Sequence, residues 1–186
     1  MRSIRLPGNT AVRMALLLLM MLFAGCEELF NENRTAVFML NYVNYAWGYQ
    51  NNGYIIDSEG VVKEFNLPEN WNYVDDEGYI SEADMAENIL RAGNTVCIIS
   101  KSDMAYFSAR LRSAVKGKIT EPEHRMCDAG STVYAGFLYE PGNSRYRYVF
   151  IRQTGDFYTE NLSKDAAAIY EWMQDPCDGN LSVKLR

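Results

Sequence analysis

A single histidine, His124, serves the whole chain of 186 residues. Any Cys–His nucleophile must therefore use it, and a zinc site would have to join it to cysteines without paired-ligand spacing. Other chemical signatures are missing too. There is no Gly-rich phosphate loop, no G-x-S-x-G elbow and no H-E-x-x-H, so these motifs give no support to nucleotide binding, serine-hydrolase chemistry or zinc proteolysis. Basic residues are outnumbered: 18 Lys and Arg face 24 Asp and Glu, a formal charge of −6. Phosphate backbones need clustered Lys and Arg, so nucleic acid is not an expected partner. No apolar run after Phe23 approaches the ~20 residues that a bilayer-spanning helix requires. Nothing in these patterns implies a cofactor or a resident metal.

What the sequence does have begins at its start. Arg2, Arg5 and Arg13 precede the apolar run Met14 to Phe23, and no acid interrupts them. A basic stretch, a short apolar run and small residues make an export signal. The small residues are Ala24 and Gly25, followed at once by Cys26. This MALLLLMMLFAGC segment resembles the signal of bacterial lipoproteins, whose lipobox reads Leu-(Ala/Ser)-(Gly/Ala)-Cys. Phe23 stands where that family usually has a branched residue, and Leu22 lies one place earlier. The resemblance implies cleavage before Cys26, lipidation of its thiol and acylation of its amine. It also implies a lipid anchor in the outer membrane of a Gram-negative cell, facing the periplasm or the cell surface. Multiple acyl chains would hold such an anchor stably, at about 0.8 kcal/mol per buried CH2. Glu27 and Glu28 resemble the acidic surface-export tag of some of these lipoproteins, and equally suit the start of a solvated tether. An ordinary secretory signal cut after Ala24 or Gly25 would share the same apolar length and small residues.

The expected organisation is a signal over residues 1–25, a lipidated cysteine and tether over 26–34, and one domain over 35–186. That length is enough for one real core. Thr35 to Trp47 reads as a long strand, Gln50 to Gly53 as a turn, and Tyr54 to Asp57 and Val61 to Phe65 as further strands. Pro68 to Glu77 reads as a loop that leaves Trp71 and Tyr73 exposed or half-buried. Ser81 opens a helix that Gly93 ends, and Thr95 to Ile99 is a short buried strand. Ser102 caps a second helix stopped by Gly117. Thr132 to Tyr139 and Tyr146 to Gln153 flank the hairpin signal Pro141 to Ser144. A short strand at Phe157 and Tyr158 and a helix from Ser163 to Pro176 complete the chain. Strands and helices come in segregated runs, so the expected class is α+β: antiparallel meander and hairpins packed against about three helices.

Three groupings merit chemical attention. The loop Tyr73 to Asp84 aligns partly with a calcium-binding loop around Gly78. Tyr73, however, occupies the first ligand position, and Asp84 replaces the closing glutamate, so a polar loop leading into a helix cap reads better. His124 and Cys127 lie close in sequence, without the flanks of a Cys–His hydrolase, and a loop histidine beside a disulfide cysteine reads better than a nucleophile. Tyr45, Trp47 and Tyr49 share one face of an extended strand. With Trp71 they either line a binding face or lie under the helices, and the buried sheet face is the better reading.

Export places the domain where disulfides persist. With Cys26 lipidated, three cysteines remain and one intrachain pair can form. Cys127 and Cys177 are the expected pair, because both fall in loops, whereas Cys97 sits in the apolar TVCII segment. A Cys97 pairing remains an alternative. The composite expectation is a cell-envelope lipoprotein carrying a non-enzymatic protein- or glycan-binding or structural module. The alternative is an envelope hydrolase using a Cys–His or carboxylate pair.

Overall fold

The computed structural model describes residues 36–177. Cys26, the signal and the tether lie outside the described residues. The described residues form an α+β domain: an antiparallel sheet carries helices on both faces.

The chain runs β1 (Val37–Asn44), β2 (Gln50–Ile56), β3 (Val61–Asn66), β4 (Tyr79–Ser81), α1 (Glu82–Arg91), β5 (Thr95–Ile98), α2 (Lys101–Ala114), β6 (Glu123–His124), β7 (Ser131–Glu140), β8 (Arg145–Gly155), β9 (Phe157–Glu160) and α3 (Lys164–Gln174). Sheet order is β5-β3-β2-β1-β7-β8-β9-β6. The outer edge of β8 is shared: Arg145–Arg147 pair with β4, and Arg152 and Gln153 pair with β9.

Side chains alternate across a strand, so β1 feeds two cores at once. Ala36, Phe38 and Leu40 face α2 and α3, with Ile56, Val62, Cys97, Met104, Leu111, Ile169 and Met173. Val37 and Met39 face the other way, toward α1 and the 67–78 loop, with Ile55, Phe65, Trp71, Met85 and Phe137. A bulge between Tyr134 and Ala135 leaves Ile151 unpaired in β8, and a bulged strand turns its side chains locally. Arg152 then lies over the Tyr170 ring of α3, 3.8 Å from its centroid. Gly136 lets α2 come close, since a Cβ there would fall 2.4 Å from a methyl of Leu111.

All three α-helices among the described residues start on serine. Ser81 accepts from the Asp84 amide at 3.0 Å, Ser100 from Asp103 at 3.1 Å and Ser163 from Ala166 at 3.0 Å. Each bond satisfies one of the amides left over in a first helical turn. The second cap is Ser100 rather than Ser102, whose hydroxyl instead lies 2.8 Å from that of Ser100. Helices α2 and α3 join through the Arg110–Asp165 ion pair at 2.7 Å and the stacked rings of Phe107 and Trp172.

The disulfide expectation is corrected. Cys97 pairs with Cys177, and Cys127 is a free, exposed thiol. Helix α3 begins beside β8, where the Asn161 amide donates to the Ile151 carbonyl at 3.0 Å. It ends at the opposite side of the sheet, where the Tyr54 hydroxyl donates to the Met173 carbonyl. Cys177 is thereby delivered to the β5 edge, 6.1 Å between Cα atoms from Cys97. An apolar setting does not keep a thiol single when an oxidisable partner is packed onto it.

The first hairpin also differs from its expected register. β1 stops at Asn44, the turn is 45–49, and Gln50–Gly53 is strand rather than turn. Gly53 pairs with Asn41, and a Cβ on it would sit 1.9 Å from the Leu40 carbonyl oxygen. The glycine serves close approach of two strands, not a reversal.

Candidate functional site

The turn that replaces the expected strand end is the most exposed aromatic feature described. Tyr45 and Trp47 are 76% and 78% exposed, and Tyr49 is 49% exposed. Burial under the helices would require β1 to continue past Asn44. It does not, because the Asn44 side chain turns the chain instead. Asn44 Oδ1 accepts from the Ala46 amide at 2.7 Å, and its Nδ2 donates to the Asp128 carbonyl at 3.0 Å. An Asn that bonds the backbone two residues ahead sets up a turn and competes with the strand ladder.

The tip is organised rather than splayed. The Tyr45 and Tyr49 rings stack at 5.3 Å. Tyr73, from the 67–78 loop, is 60% exposed and hydrogen-bonds to Tyr49. Desolvation, then that bond and the neighbouring phenols, push the Tyr73 hydroxyl up to about 12. From Thr35 to Ile56 the sequence contains no charged residue, and its polar side-chain groups beyond Thr35 are amides, phenols and the indole of Trp47. That neutral aromatic–amide composition was a signal available in the sequence and overlooked there.

Trp71, grouped with these aromatics from the sequence, is not at the surface. It is 8% exposed, and its ring centroid lies 4.6 Å from that of Phe65. It lines a mainly apolar cavity of about 190 Å³ between the sheet and α1. Met39, Ile55, Val133 and Phe137 form the sheet wall, and Tyr73 belongs both to the cavity lining and to the tip. Asn72 and Asn88 also line it, but they satisfy each other: the Asn72 amide donates to Asn88 Oδ1 at 2.9 Å, and Asn88 Nδ2 donates back to the Asn72 carbonyl at 2.7 Å. Asn41 differs, since its Oδ1 is buried with no hydrogen-bond partner among the described residues. Tyr148 completes the wall, and burial pushes its phenol up to about 12. A second, more open groove of about 660 Å³ runs past Tyr54, Glu64, Asn66, Arg91 and Asn94 at the β3 edge.

His124 and Cys127 meet in space. Nε2 lies 3.6 Å from Sγ, and the imidazole packs edge-on against Phe157. Both residues are exposed, and neither lines the two cavities described above. The calcium-like loop is a hydrogen-bonded turn. Asp75 Oδ1 accepts from the Glu77 and Tyr79 amides at 3.0 and 2.8 Å, and Asp84 accepts from the Ser81 hydroxyl at 2.7 Å. Among the described residues no group of three or more His, Cys, Asp and Glu side chains could hold a metal ion.

Fold and site together define a class: an α+β domain presenting a neutral aromatic hairpin tip beside a small apolar cavity. No protein-family profile, curated protein or solved structure matches the chain significantly.

Proposed function

We propose that this is a lipid-anchored cell-envelope protein that binds a glycan through its aromatic tip. The observation that carries the reading is the exposed, charge-free cluster of Tyr45, Trp47, Tyr49 and Tyr73. Aromatic faces cover the C–H faces of sugar rings, while phenol and amide groups serve their hydroxyls. An array without charge suits a neutral ligand.

Placement supports the same reading. Chain entry is pinned at Ala36, whose buried amide donates to Ser108 Oγ at 2.8 Å. The tip is at the other end of the eight-residue β1, about 26 Å away at 3.3 Å per residue. Ala36, the first described residue, therefore lies at the opposite end of β1 from the tip. The Cys97–Cys177 bond adds support for export, since disulfides persist outside the reducing cytosol.

The test is capture of envelope polysaccharide by the full chain and by Trp47→Ala. Affinity should fall at least tenfold, or about 1.4 kcal/mol, with the melting temperature moving less than about 2 °C because the side chain is exposed. Unchanged capture, or a large stability loss, refutes the tip as the site. Capture that survives periodate oxidation of the ligand but not protease treatment would assign a protein ligand instead. In the same preparation Cys26→Ser should abolish acyl labelling, and equal labelling of that variant removes the anchor.

The Cys–His contact favours a second reading, a thiol-dependent hydrolase. A nucleophile and base within reach meet one requirement, but a pocket to hold substrate is also needed. Loss of any esterase or amidase activity in Cys127→Ser would support it.

A further inference from the structure

The glycan reading leaves the His124–Cys127 pair without a role. Among the described residues Cys97 and Cys177 are bonded to each other, and Cys127 is a free, exposed thiol. An unmatched cysteine in a disulfide-bearing chain points to a reactive thiol or to a bond with another molecule. Cys127 also has a base, since His124 Nε2 lies 3.6 Å from its Sγ. The fold holds the two in place. His124 pairs with Phe157 in the β6–β9 ladder, and its ring packs edge-on against that phenyl at 5.4 Å. Asp156 fastens the loop on either side of Cys127: its carbonyl accepts from the Arg125 amide at 2.9 Å, and its Oδ1 accepts from the Ala129 amide at 2.8 Å. A nucleophile and a base kept within reach form a reactive pair.

The surroundings select the reaction. Acyl transfer needs a pocket and donors for an oxyanion, and the pair lines neither cavity. Thiol–disulfide exchange needs an accessible sulfur, because the thiolate attacks a disulfide sulfur directly. Both residues are exposed. A compartment that keeps Cys97–Cys177 oxidised also keeps small disulfides oxidised. Neighbouring charges select the partner. Glu123 and Arg125 pair at 2.8 Å, and on β9 Glu160 pairs with Arg152 at 2.9 Å. The other charged residues in 123–130 and 156–160 are Asp128 and Asp156, both acidic. Their field repels anionic disulfides and admits neutral or cationic ones.

We propose that Cys127 is a thiol–disulfide exchange site for small cationic or neutral disulfides, with His124 as its base. The thiol proton passes to His124 Nε2. Sγ then bonds to one sulfur of the disulfide as the S–S bond breaks, and the leaving thiolate takes the proton from His124. The Cys127 sulfur is oxidised and the leaving sulfur is reduced, so the small disulfide is the whole oxidant. The product is an exposed mixed disulfide that excess thiol releases, whereas Cys97–Cys177, with Cys97 in the core, stays closed. The site depends on neither glycan binding nor hydrolysis.

The experiment uses the oxidised full chain with Cys26→Ser, which removes the other thiol. The probes are cystamine (cationic), hydroxyethyl disulfide (neutral) and oxidised glutathione (anionic), with N-acetylcysteinamide as the reference thiol. Mass spectrometry should find one adduct, mapped to Cys127 and reversed by free cysteamine. At pH 7 the cystamine rate should exceed that of the reference thiol at least five-fold. The cystamine-to-glutathione rate ratio should exceed the reference ratio at least three-fold at low salt and approach it in 1 M salt. Asp128→Asn should narrow that ratio; Asn tolerates the left-handed backbone at this position, where φ is 62°. His124→Gln should slow the pH 7 reaction at least five-fold and match the parent above pH ~9.5, where a thiol ionises unaided. An adduct elsewhere or none, a parent rate no faster than the reference, or a charge preference equal to the reference overturns the inference. So does a His124→Gln rate equal to the parent at pH 7, or a deficit that persists at high pH, which would report a distorted loop rather than a lost base.

Discussion

Breaking the Cys97–Cys177 bond is the perturbation whose size follows most directly from the fold. The bond closes a loop of 80 residues. In the chain-entropy relation this removes about 15 cal/mol/K from the unfolded state, or about 4.5 kcal/mol at 25 °C. For a domain of this size each kcal/mol moves the midpoint by about 2–4 °C, so the loss is about 9–18 °C. Cys177→Ser is the cleaner variant. Cys97 is 1% exposed in the core with Val62 and Ile56, and a serine there would add the cost of a buried hydroxyl, about 1–3 kcal/mol. Magnitude alone does not identify the pair, because a Cys127–Cys177 loop of roughly 50 residues would contribute about 4 kcal/mol. The single variants do. In a Cys26→Ser background the oxidised protein should show one reactive thiol and melt about 9–18 °C above Cys177→Ser, while Cys127→Ser keeps the full midpoint and loses the thiol. A drop in Cys127→Ser matching that in Cys177→Ser, or a Cys177→Ser midpoint within about 2 °C of the parent, refutes the reasoning.

Two further outcomes follow from the sheet. Burial holds Tyr148 neutral in the folded state, pushing its phenol up to about 12 from the ~10 of a free tyrosine. Its contribution is therefore complete below pH 10 and is lost as pH rises through 12, amounting to about 3 kcal/mol over that window. Denaturant titrations should show a shallower alkaline fall in Tyr148→Phe, and an unchanged slope would contradict the burial argument. Gly53→Ala puts a Cβ against the Leu40 carbonyl oxygen, a backbone atom that cannot swing aside. It should cost more than about 2 kcal/mol in chemical denaturation, because β1 and β2 must separate to accept it; a neutral result would show that the pairing register is wrong.

Much of the architecture was legible because local chemistry and final environment agree. Ser81 and Ser163 cap helices wherever they are placed, and Pro141 to Ser144 reverses the chain between two strands with little help from elsewhere. The segregated order of strands and helices specified α+β before any contact was known. The site was only partly legible. Tyr45, Trp47 and Tyr49 stood out by spacing, yet their exposure depended on where β1 stopped, and Asn44 stops it using a carbonyl from residue 128. Gly53 looked like a turn residue because sequence cannot distinguish a glycine needed for reversal from one needed for close approach.

The sequence by itself determined most of the helices and strands, though not where β1 ends, and the neutral aromatic stretch, since these depend on residue type and short spacing. Only the tertiary structure decided the rest. It brought Cys177 across the sheet to Cys97, left Cys127 beside His124, buried Trp71 against Phe65 and walled Asn41 into an apolar cavity. Each of these joins residues distant in the chain or depends on a fold that no short spacing encodes, and the energy that fixes them is burial shared among several elements.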